Sequence, residues 1–455
     1  MRSRTGRGVE DVALVLAALG ALAIGLRAAT LDAGPVGALV AGGALLLAAG
    51  LAAVLALPRE HRRAVAVACV SLGAAAYLGE LYLRAGGTSD QSMESAAMRR
   101  GVVPDRRLSS EVIRDLRNAG TYAVPAMIPS AQVAAHRAPN AALFVVGGVR
   151  NAVTVYCNES GQFHPYRSDR FGFNNPDHVW DAGVEIVIVG DSYAHGACTS
   201  HADSIAGMVA QQIPGTINLG MSGNGPLLEL ASLREYGAAV RPRVLVWLFF
   251  EGNDLGNLIA EGQLPVLRSY LRPDFNQSLA ARQDEIDAAL RASADALLLA
   301  QPESENASKR PLADLGGVAK LREVRRLLLG PLAYFGGGGE AVRQEIAPEN
   351  LELLRATLLA AKQQVGEADG RVLFVYLPSD TYYSPDWAKQ HILATRTQVL
   401  GIAKALDLET LDLTPEFDGH PIESRFVFSG SHYNREGNEI VASAIVAAAR
   451  RTRPN

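Results

Sequence analysis

The sequence lacks the residue patterns that mark several functional classes. Its 43 Lys and Arg are balanced by 47 Asp and Glu, and no basic block occurs in the part that follows the N-terminal region. A protein that holds nucleic acid through phosphate contacts needs clustered positive charge, so no nucleic-acid partner is predicted. The chain has no P-loop, no Gly-x-Gly-x-x-Gly after a strand and no metal-ligand cluster. Neither a cofactor nor a metal is therefore predicted.

Cysteine is also scarce, with three residues among 455. Cys69 falls in an apolar run and is interpreted as a packing residue. Cys157 and Cys198 lie in the remainder of the chain, where an oxidising compartment would allow them to pair. Such a bridge would close about 40 residues and stabilise the fold by roughly 3–4 kcal/mol. Two interpretations stay open, a disulfide and two unrelated buried thiols, because the sequence carries no geometry.

Long hydrophobic runs are confined to the first 83 residues, at 12–31, 36–57 and 64–83. Each has about 20 residues, the length that crosses a hydrocarbon core as a helix. A signal peptide has one shorter apolar region and a cleavage site, not three runs in series. Residues 1–83 are therefore predicted to form an anchor of three transmembrane helices in the lipid bilayer.

The arginines near these runs predict their orientation. Three precede the first run and three lie between the second and the third: Arg2, Arg4, Arg7, Arg59, Arg62 and Arg63. The loop at 32–35, between the first and the second run, has no positive charge. Because positive loops stay inside, the N-terminus is predicted to be cytoplasmic. Everything after Arg84 is then outside, in a multi-pass protein of the cell (inner) membrane.

The rest of the chain has the pattern of an α/β domain. Residues 84–139 are interpreted as a polar connector with a helical pattern at 109–117. From residue 184 onward, amphipathic helical patterns alternate with short runs rich in Val, Ile, Leu and Phe, at 185–189, 216–219, 244–250, 371–377 and 410–413. This alternation predicts βαβ units and a sheet of about five parallel strands, covered on both faces. The active site of such a sheet lies beyond the carboxyl ends of its strands.

One stretch, at about 256–350, interrupts the alternation. It has helical patterns at 277–299 and 321–329 but no further core strand. An insertion that leaves a strand end is either a lid or substrate platform, or an embellishment that touches no substrate. The predicted exported α/β domain spans residues 140–455 and includes this insertion. Strand-like runs at 142–146 and 152–156 precede its core.

Polar residues follow three predicted strands and precede the last helix. Ser192 lies just past the first strand on a Gly-flanked turn, which would expose its hydroxyl at the carboxyl edge of the sheet. Backbone N–H groups of the glycine loop at 220–225 and the amide of Asn253 follow the next two strands and can hold an oxyanion. His432, at the start of the last helix, can take a proton from the serine. Singly, each has a plain interpretation as a turn, a helix cap or a surface residue.

In this order the motifs resemble the SGNH/GDSL hydrolase family. The matching blocks are Gly-Asp-Ser at 190–192, the glycine loop at 220–225, Gly-Asn-Asp at 252–254, and His432, Tyr433, Asn434 and Gly437. The resemblance implies a flavodoxin-like, three-layer α/β/α sandwich with Ser192 as nucleophile and His432 as base. It also implies three oxyanion donors: the backbone N–H groups of Ser192 and Gly223, and the side chain of Asn253.

The sequence departs from that family at the third member of the triad. The family has an Asp two or three residues before the histidine, but those positions are Gly430 and Ser429 here. Loss of the corresponding Asp in serine proteases lowers kcat by about 10⁴-fold. Ser429 would accept the histidine Nδ1–H without adding charge. Asp418, in the preceding loop, is the other candidate.

Two further histidines lie near these motifs. His420 follows Asp418 and Gly419, so an Asp-Gly-His block is an alternative to His432 as the source of the base. His432 is preferred, because Asn434 and the amphipathic helix after it fit the family better. His195, three residues after the nucleophile, is interpreted as a turn or packing residue.

Three functions stay open. The first is an exported serine esterase that removes acyl groups, acetyl among them, from a carbohydrate or lipid ester through an acyl-enzyme. The second is an O-acyltransferase that passes the acyl group to an exported polysaccharide. The third is a catalytically silent domain that binds glycan or acts as a scaffold, which the missing Asp favours. The layout of anchor and exported domain is similar to bacterial polysaccharide acetylation proteins and implies an acylated glycan or lipid substrate and a polysaccharide-export assembly as partners.

Overall fold

The computed structural model describes residues 8–30, 34–85, 88–135, 143–300, 346–383, 386–428 and 430–451. The described part of the chain divides into two compact units. One is made of residues up to 91, and the other of residues from 92 to 300 together with those from 346 onward. Each unit is described by itself.

The first unit is a group of helices rich in Ala, Leu, Gly and Val. Its long helices are α1 (Val9–Thr30), α2 (Gly34–Val54) and α3 (Arg59–Ala85). Arg59 pairs with Glu10 at 2.6 Å, and Arg62 pairs with Asp11 at 2.8 Å. These ion pairs bring the N-terminal ends of α1 and α3 to the same end of the group.

One described segment of this unit, Arg59–Tyr82, is long and apolar enough to cross a membrane. The described apolar segment Gly42–Val54 is shorter than the length of about 20 residues that a span needs. The structure therefore does not support the prediction of three transmembrane helices. It supports one candidate span among the described residues.

Helices and short strands alternate in the remainder of the chain. The helices are α4 (Thr88–Arg99), α5 (Ser109–Asn118), α6 (Pro129–Ala135), α7 (Ser192–His195), α8 (Ile205–Gln212), α9 (Pro226–Ser232), α10 (Asp254–Glu261), α11 (Pro265–Ser269), α12 (Gln283–Ala300), α13 (Pro348–Gly366), α14 (Asp386–Ala405), α15 (Thr414–Phe417) and α16 (Arg435–Ala449). The strands are β1 (Ala123–Pro125), β2 (Val153–Val155), β3 (Tyr166–Arg167), β4 (Ile186–Val189), β5 (Thr216–Asn218), β6 (Val244–Phe250), β7 (Arg371–Leu377) and β8 (Glu409–Asp412).

A small sheet precedes the main one along the chain. Its order is β1-β2-β3, with β1 parallel and β3 antiparallel to β2. The segment predicted as a connector thus supplies a strand to the second unit. The strand expected at 142–146 is not formed by its described residues. Their backbone groups bond to amide side chains instead, Gln277 at Phe144 and Gln132 at Val145.

The main sheet has five parallel strands in the order β5-β4-β6-β7-β8. This confirms the parallel five-stranded sheet predicted from the sequence. Numbered along the chain the order is 2-1-3-4-5, the flavodoxin-like order, in which the direction of strand addition reverses between β4 and β6. In open α/β sheets, ligands bind beyond the carboxyl ends of the two strands at such a reversal, because the connections of these strands leave toward opposite sides.

Alternate side chains of the main sheet enter two separate cores. Val187 and Trp247 pack on one face with α9 and α13, whereas Ile188 and Leu248 pack on the other with α8 and α16. Successive strand residues point to opposite faces, so strands buried on both sides need apolar residues throughout. The result is three layers, with helices on both faces of the sheet.

The described part of the predicted insertion belongs to this unit. Its helix α12 begins at Gln283 and covers all but the first six residues of the pattern predicted at 277–299. Ile286, Leu290 and Ala294 of that helix are buried in the first core. The pattern at 321–329 lies outside the described residues. The described half of the insertion is therefore packed against the domain as a structural layer.

Candidate active site

A tight turn after β4 carries the predicted nucleophile. Gly190 adopts φ +157°, and a Cβ there would lie 3.0 Å from that of Leu248, so a larger residue would disturb the turn. Asp191 caps α7 by accepting the backbone N–H of Tyr193 at 3.0 Å. Ser192 is the first residue of α7, where N–H groups have no intrahelical acceptor. The turn therefore presents both the serine hydroxyl and a helix N-terminus at the carboxyl edge.

Asn253 meets this turn from the neighbouring strand. It is the N-cap of α10, directly after β6. Its Nδ2 donates to Asp191 Oδ2 at 3.3 Å, and Ser192 Oγ donates to the same oxygen at 3.2 Å. The structure thus brings Ser192 and Asn253 to one carboxylate at the carboxyl ends of β4 and β6. The Asn253 Oδ1 is buried without a hydrogen-bond partner among the described residues.

The glycine loop after β5 packs directly on α7. Met221 donates its N–H to the Gly190 carbonyl at 3.2 Å. A Cβ at Gly220 would come within 2.2 Å of the Ala194 Cβ, which leaves no room for a side chain. The loop can approach the serine turn this closely because glycine stands at the contact.

Gly223, the predicted oxyanion donor, lies farther along the same loop. Its φ of +73° is in the left-handed region that favours glycine. Its carbonyl accepts Asn257 Nδ2 of α10 at 3.2 Å, and the buried Glu261 carboxylate accepts the N–H of Gly225 at 2.5 Å. Helix α10 therefore holds the loop as well as positioning Asn253.

His432 reaches the same edge from the segment before α16. Its ring packs on that of Tyr193, the residue after the nucleophile, with 5.1 Å between centroids. Its Nδ1 lies 3.0 Å from both carboxylate oxygens of Glu159, and its backbone N–H donates to Glu159 Oε2 at 2.9 Å. Glu159 thus fixes the ring and the backbone of the histidine together. With Nδ1 occupied, Nε2 is the nitrogen left to act as a base.

The electrostatics of the pair agree with this geometry. Burial lowers the pKa of His432, but the hydrogen bond and charge of Glu159, with the charge of Asp191, raise it above its usual 6.5. Burial raises the pKa of Glu159, but the hydrogen bond and charge of His432 bring it below its usual 4.5. Near neutral pH, Glu159 is therefore ionised and keeps a proton on Nδ1. Burial raises the pKa of Asp191.

The acid beside His432 is Glu159, and not one of the two residues predicted as the third member of the triad. Asp418, at the end of α15, has an exposed side chain, and the carboxylate at Nδ1 of His432 is that of Glu159. Ser429 lies outside the described residues. His420, the alternative base, is also exposed. Sequence reasoning missed Glu159 because it is 273 residues from His432 and belongs to no motif.

A disulfide, one of the two interpretations that the sequence left open, lies beside this acid. Cys157 and Cys198 are joined with an S–S length of 2.05 Å and 4.9 Å between their Cα atoms. Cys157 is two residues before Glu159, and Cys198 is six residues after Ser192. This pairing was the one sequence signal that could have brought residue 159 to the nucleophile. Cys69 is free.

His195 is buried beneath the site. Its Nδ1 accepts the N–H of Ser222 at 3.3 Å, so its Nε2 carries the proton and donates to the Tyr166 hydroxyl at 2.7 Å. Its ring stacks on Tyr156 with 5.3 Å between centroids. Burial, and then the charge of His432, lower the pKa of His195 to about 4, so it is neutral at physiological pH. These contacts give it a packing role.

A group of side chains at the site has the donor types of a metal centre. Among the described residues, ligand atoms of Glu159, Cys198 and His432 lie within 4.8 Å of one another. The sulfur of Cys198 is bonded to Cys157, however, and a disulfide sulfur is not the thiolate that metals bind. Two ligands are then left, so the oxidised site does not fit a metal.

Comparisons with known proteins do not assign the chain to a family. No family model matches it, and no curated protein matches it. Among solved structures, it is similar to LAE5, an α/β hydrolase enzyme from the metagenome of Lake Arreo, Spain, at 13% identity and a TM-score of 0.31, covering 59% of this chain and 95% of that one. It is also similar to a catalytic mutant of Axe2, an acetylxylan esterase from Geobacillus stearothermophilus, at 13% identity and a TM-score of 0.33, covering 60% and 96%. Likenesses at this level carry no argument here.

Proposed function

We propose that this chain is a serine esterase in which Ser192 is the nucleophile, His432 the general base and Glu159 the acid that orients it. The observation that supports this best is the Glu159–His432 pair, with 3.0 Å between carboxylate and Nδ1, packed on Tyr193. A nucleophile turn, a base and an orienting acid at one sheet edge are the parts that acyl transfer through a serine requires.

In the proposed reaction, Ser192 Oγ attacks the ester carbonyl while His432 Nε2 takes its proton. Glu159 holds the imidazole and stabilises its charged form. The backbone N–H of Ser192, the N–H of Gly223 and the Asn253 amide stabilise the oxyanion. The tetrahedral intermediate expels the alcohol, which takes the proton from His432 and leaves an acyl-enzyme. Before this step Ser192 Oγ must rotate from Asp191 Oδ2 toward His432, a rearrangement that substrate binding can drive.

The acyl-enzyme is resolved when water or another hydroxyl group attacks the acyl carbonyl and His432 takes its proton. The acyl–Oγ bond then breaks, and Ser192 Oγ takes that proton from His432. Water as the acceptor gives an esterase acting on an acylated glycan or lipid. A sugar hydroxyl as the acceptor gives the O-acyltransferase that the sequence also allows. Both share one covalent intermediate, so a single assay with and without an acceptor sugar measures how the acyl group is divided between them.

We also propose that the second unit is exported and anchored by the first. The apolar segment Arg59–Tyr82 supports an anchor. The disulfide supports an oxidising compartment, because such bridges are rare in the cytosol. Cysteine labelling of an intact cell, with a single added cysteine in the exposed loop at 418–420, would test this placement. Protection of that cysteine from an impermeant reagent would contradict it.

The proposed chemistry is tested with the full chain in detergent. The protein is mixed with p-nitrophenyl acetate, quenched in acid and analysed by peptide mass spectrometry. We expect p-nitrophenol release and one acetyl adduct on the peptide that contains Ser192. Ser192→Ala should abolish both, and His432→Ala should abolish release. The proposal is contradicted if wild-type protein forms no adduct and releases no p-nitrophenol, with or without an acceptor sugar. The catalytically silent binding domain would then be the remaining function.

A further inference from the structure

We infer that the Cys157–Cys198 disulfide is a positioning element for catalysis, which holds Glu159 at His432. This inference rests on the proposed function and assigns a role to residues that touch no substrate. The nucleophile and the orienting acid follow strands of two different sheets. Ser192 follows β4 of the main sheet, whereas Glu159 follows β2 of the small one.

No strand pairing joins these two sheets in the described part of the chain. Strand β2 pairs with β1 and β3, and β4 pairs with β5 and β6. The backbone ladders therefore do not fix the loop after β2 relative to α7. The disulfide makes that connection covalently, from two residues before Glu159 to six residues after Ser192. Two residues of chain span at most about 7 Å, so the bridge confines the Glu159 backbone to a small volume beside the serine turn.

The backbone of Cys198 supports this role. It adopts φ +57°, the left-handed region that non-glycine residues rarely occupy, and it lies three residues after the last residue of α7. Backbone conformations of this kind persist where the surrounding structure holds them, and they concentrate at functional sites. Here the residue in this conformation is the one whose sulfur is bonded to Cys157, in the loop that carries the acid.

Noncovalent contacts also hold this loop, and Asp105 donates its N–H to the Gly161 carbonyl at 2.7 Å. Tyr156 stacks on His195, and Asn158 Nδ2 donates to the Asp105 carbonyl at 2.7 Å. The Glu159 side chain is 25% exposed. Solvent therefore screens its ion pair with His432 in part, and holding two side chains in one geometry costs conformational freedom. The covalent link is thus the contact most able to keep the carboxylate in place during turnover.

The test compares kcat and KM of four full-length proteins in detergent: wild type, the double variant Cys157→Ala with Cys198→Ala, Glu159→Gln, and the triple combination. Alanine leaves no thiol that could bind metal. Misplacement of a catalytic group by about 1 Å lowers the rate by about 100-fold, so we expect kcat of the double variant to fall 10- to 100-fold. We expect KM to stay within about twofold, because substrate contacts remain. Cys69→Ala is the matched control and should leave the kinetics unchanged.

The triple combination separates positioning from a general structural role. With Glu159 already replaced, loss of the disulfide should lower kcat by less than about twofold, because residues that act as a unit are not additive. An equal fall in kcat in both backgrounds would overturn the inference, and so would wild-type kinetics in the double variant. If the double variant lacks a cooperative thermal transition, folded wild type reduced with a trialkylphosphine and then alkylated replaces it. The phosphine is oxidised as the disulfide becomes two thiols.

A second readout does not depend on esterase activity. The His432 ring is titrated by NMR, assigned by its loss in His432→Gln. Its pKa should fall in Glu159→Gln, which removes the charge, and should fall by a smaller amount in the double cysteine variant, which displaces the acid from the ring. An unchanged pKa in the double variant would overturn the inference. If both pKa values fall while wild type shows no Ser192-dependent turnover, the proposed function fails and the positioning role stands.

Discussion

The carboxylate of Glu159 lies 3.0 Å from Nδ1 of His432, although 273 residues separate the two in the chain. The carboxylate also accepts the backbone N–H of His432 at 2.9 Å, so it fixes both the ring and the loop that carries it. In the SGNH/GDSL family, which the sequence resembles, an Asp stands two or three residues before the histidine. In this chain the carboxylate of Glu159 lies beside the histidine instead. The proposed catalytic triad therefore takes its acid from a distant part of the chain.

The first prediction concerns the pH dependence of kcat/KM. The base must be neutral to accept the serine proton, so activity is lost as pH falls through the pKa of His432, which lies above 6.5. Glu159→Gln removes the charge that raises this pKa, and its acid limb should move to lower pH. Initial rates from pH 4 to 9 check this, with Asp418→Asn as a control whose profile should match wild type. If the acid limb of the Glu159→Gln profile lies at the same pH as that of wild type, Glu159 does not act on the base.

The second prediction concerns stability, and its sign follows from the two shifts. Glu159 has a lowered pKa in the folded state, so its contribution is present above 4.5 and is lost as pH falls. His432 has a raised pKa, so its contribution is present below 6.5 and is lost as pH rises. The difference in Tm between wild type and Glu159→Gln should therefore be largest between these values. Thermal melts across pH check it, and a difference that keeps growing above pH 8 would contradict it.

The third prediction concerns the contact between the glycine loop and α7. In Gly220→Ala the new Cβ would meet that of Ala194 at 2.2 Å, so the serine turn must shift. A shift of about 1 Å lowers kcat by about 100-fold. Gly256→Ala is the matched control: its Cβ enters open space on α10, and Ala in a helix stabilises by up to about 1 kcal/mol. Wild-type kcat in Gly220→Ala would contradict the described packing.

The fourth prediction separates the buried His195 from His432, the proposed base. His195→Ala removes one hydrogen bond of the Tyr166 hydroxyl, which also bonds to Thr154. Loss of that bond destabilises the fold by about 0.5–1.5 kcal/mol, and the cavity left by the ring adds to this. The exposed His420→Ala should change stability by less than about 0.5 kcal/mol. Urea unfolding measures both. Unchanged stability together with lost kcat in His195→Ala would mean that His195 takes part in the chemistry.

The sequence predicts the main sheet well because buried parallel strands have a strong composition signal. The runs at 244–250 and 371–377 coincide with β6 and β7. Ser192 and Asn253 are predictable for a related reason: each directly follows a strand, and the ends of neighbouring parallel strands meet at one edge. His432 is predictable because it stands just before the last amphipathic helix, whose start the sequence marks.

Glu159 is not predictable in this way. It follows β2, a strand of three residues in a small sheet, so neither periodicity nor composition marks its position. Its approach to His432 depends on a loop that a disulfide joins to the end of α7, and pairing geometry is a tertiary property. The 142–146 run fails for a comparable reason, since glutamine side chains take the place of a neighbouring strand.

The most direct test of the account is the rate of p-nitrophenyl acetate hydrolysis by Glu159→Gln and by Asp418→Asn, measured beside wild type. The two changes remove one carboxylate charge each and differ in which acid they remove. The account predicts that Glu159→Gln lowers kcat by about 10³- to 10⁴-fold, as loss of the triad acid does in serine proteases, and that Asp418→Asn keeps wild-type kcat. Wild-type turnover in Glu159→Gln, or a loss confined to Asp418→Asn, would contradict the assignment of Glu159 as the catalytic acid.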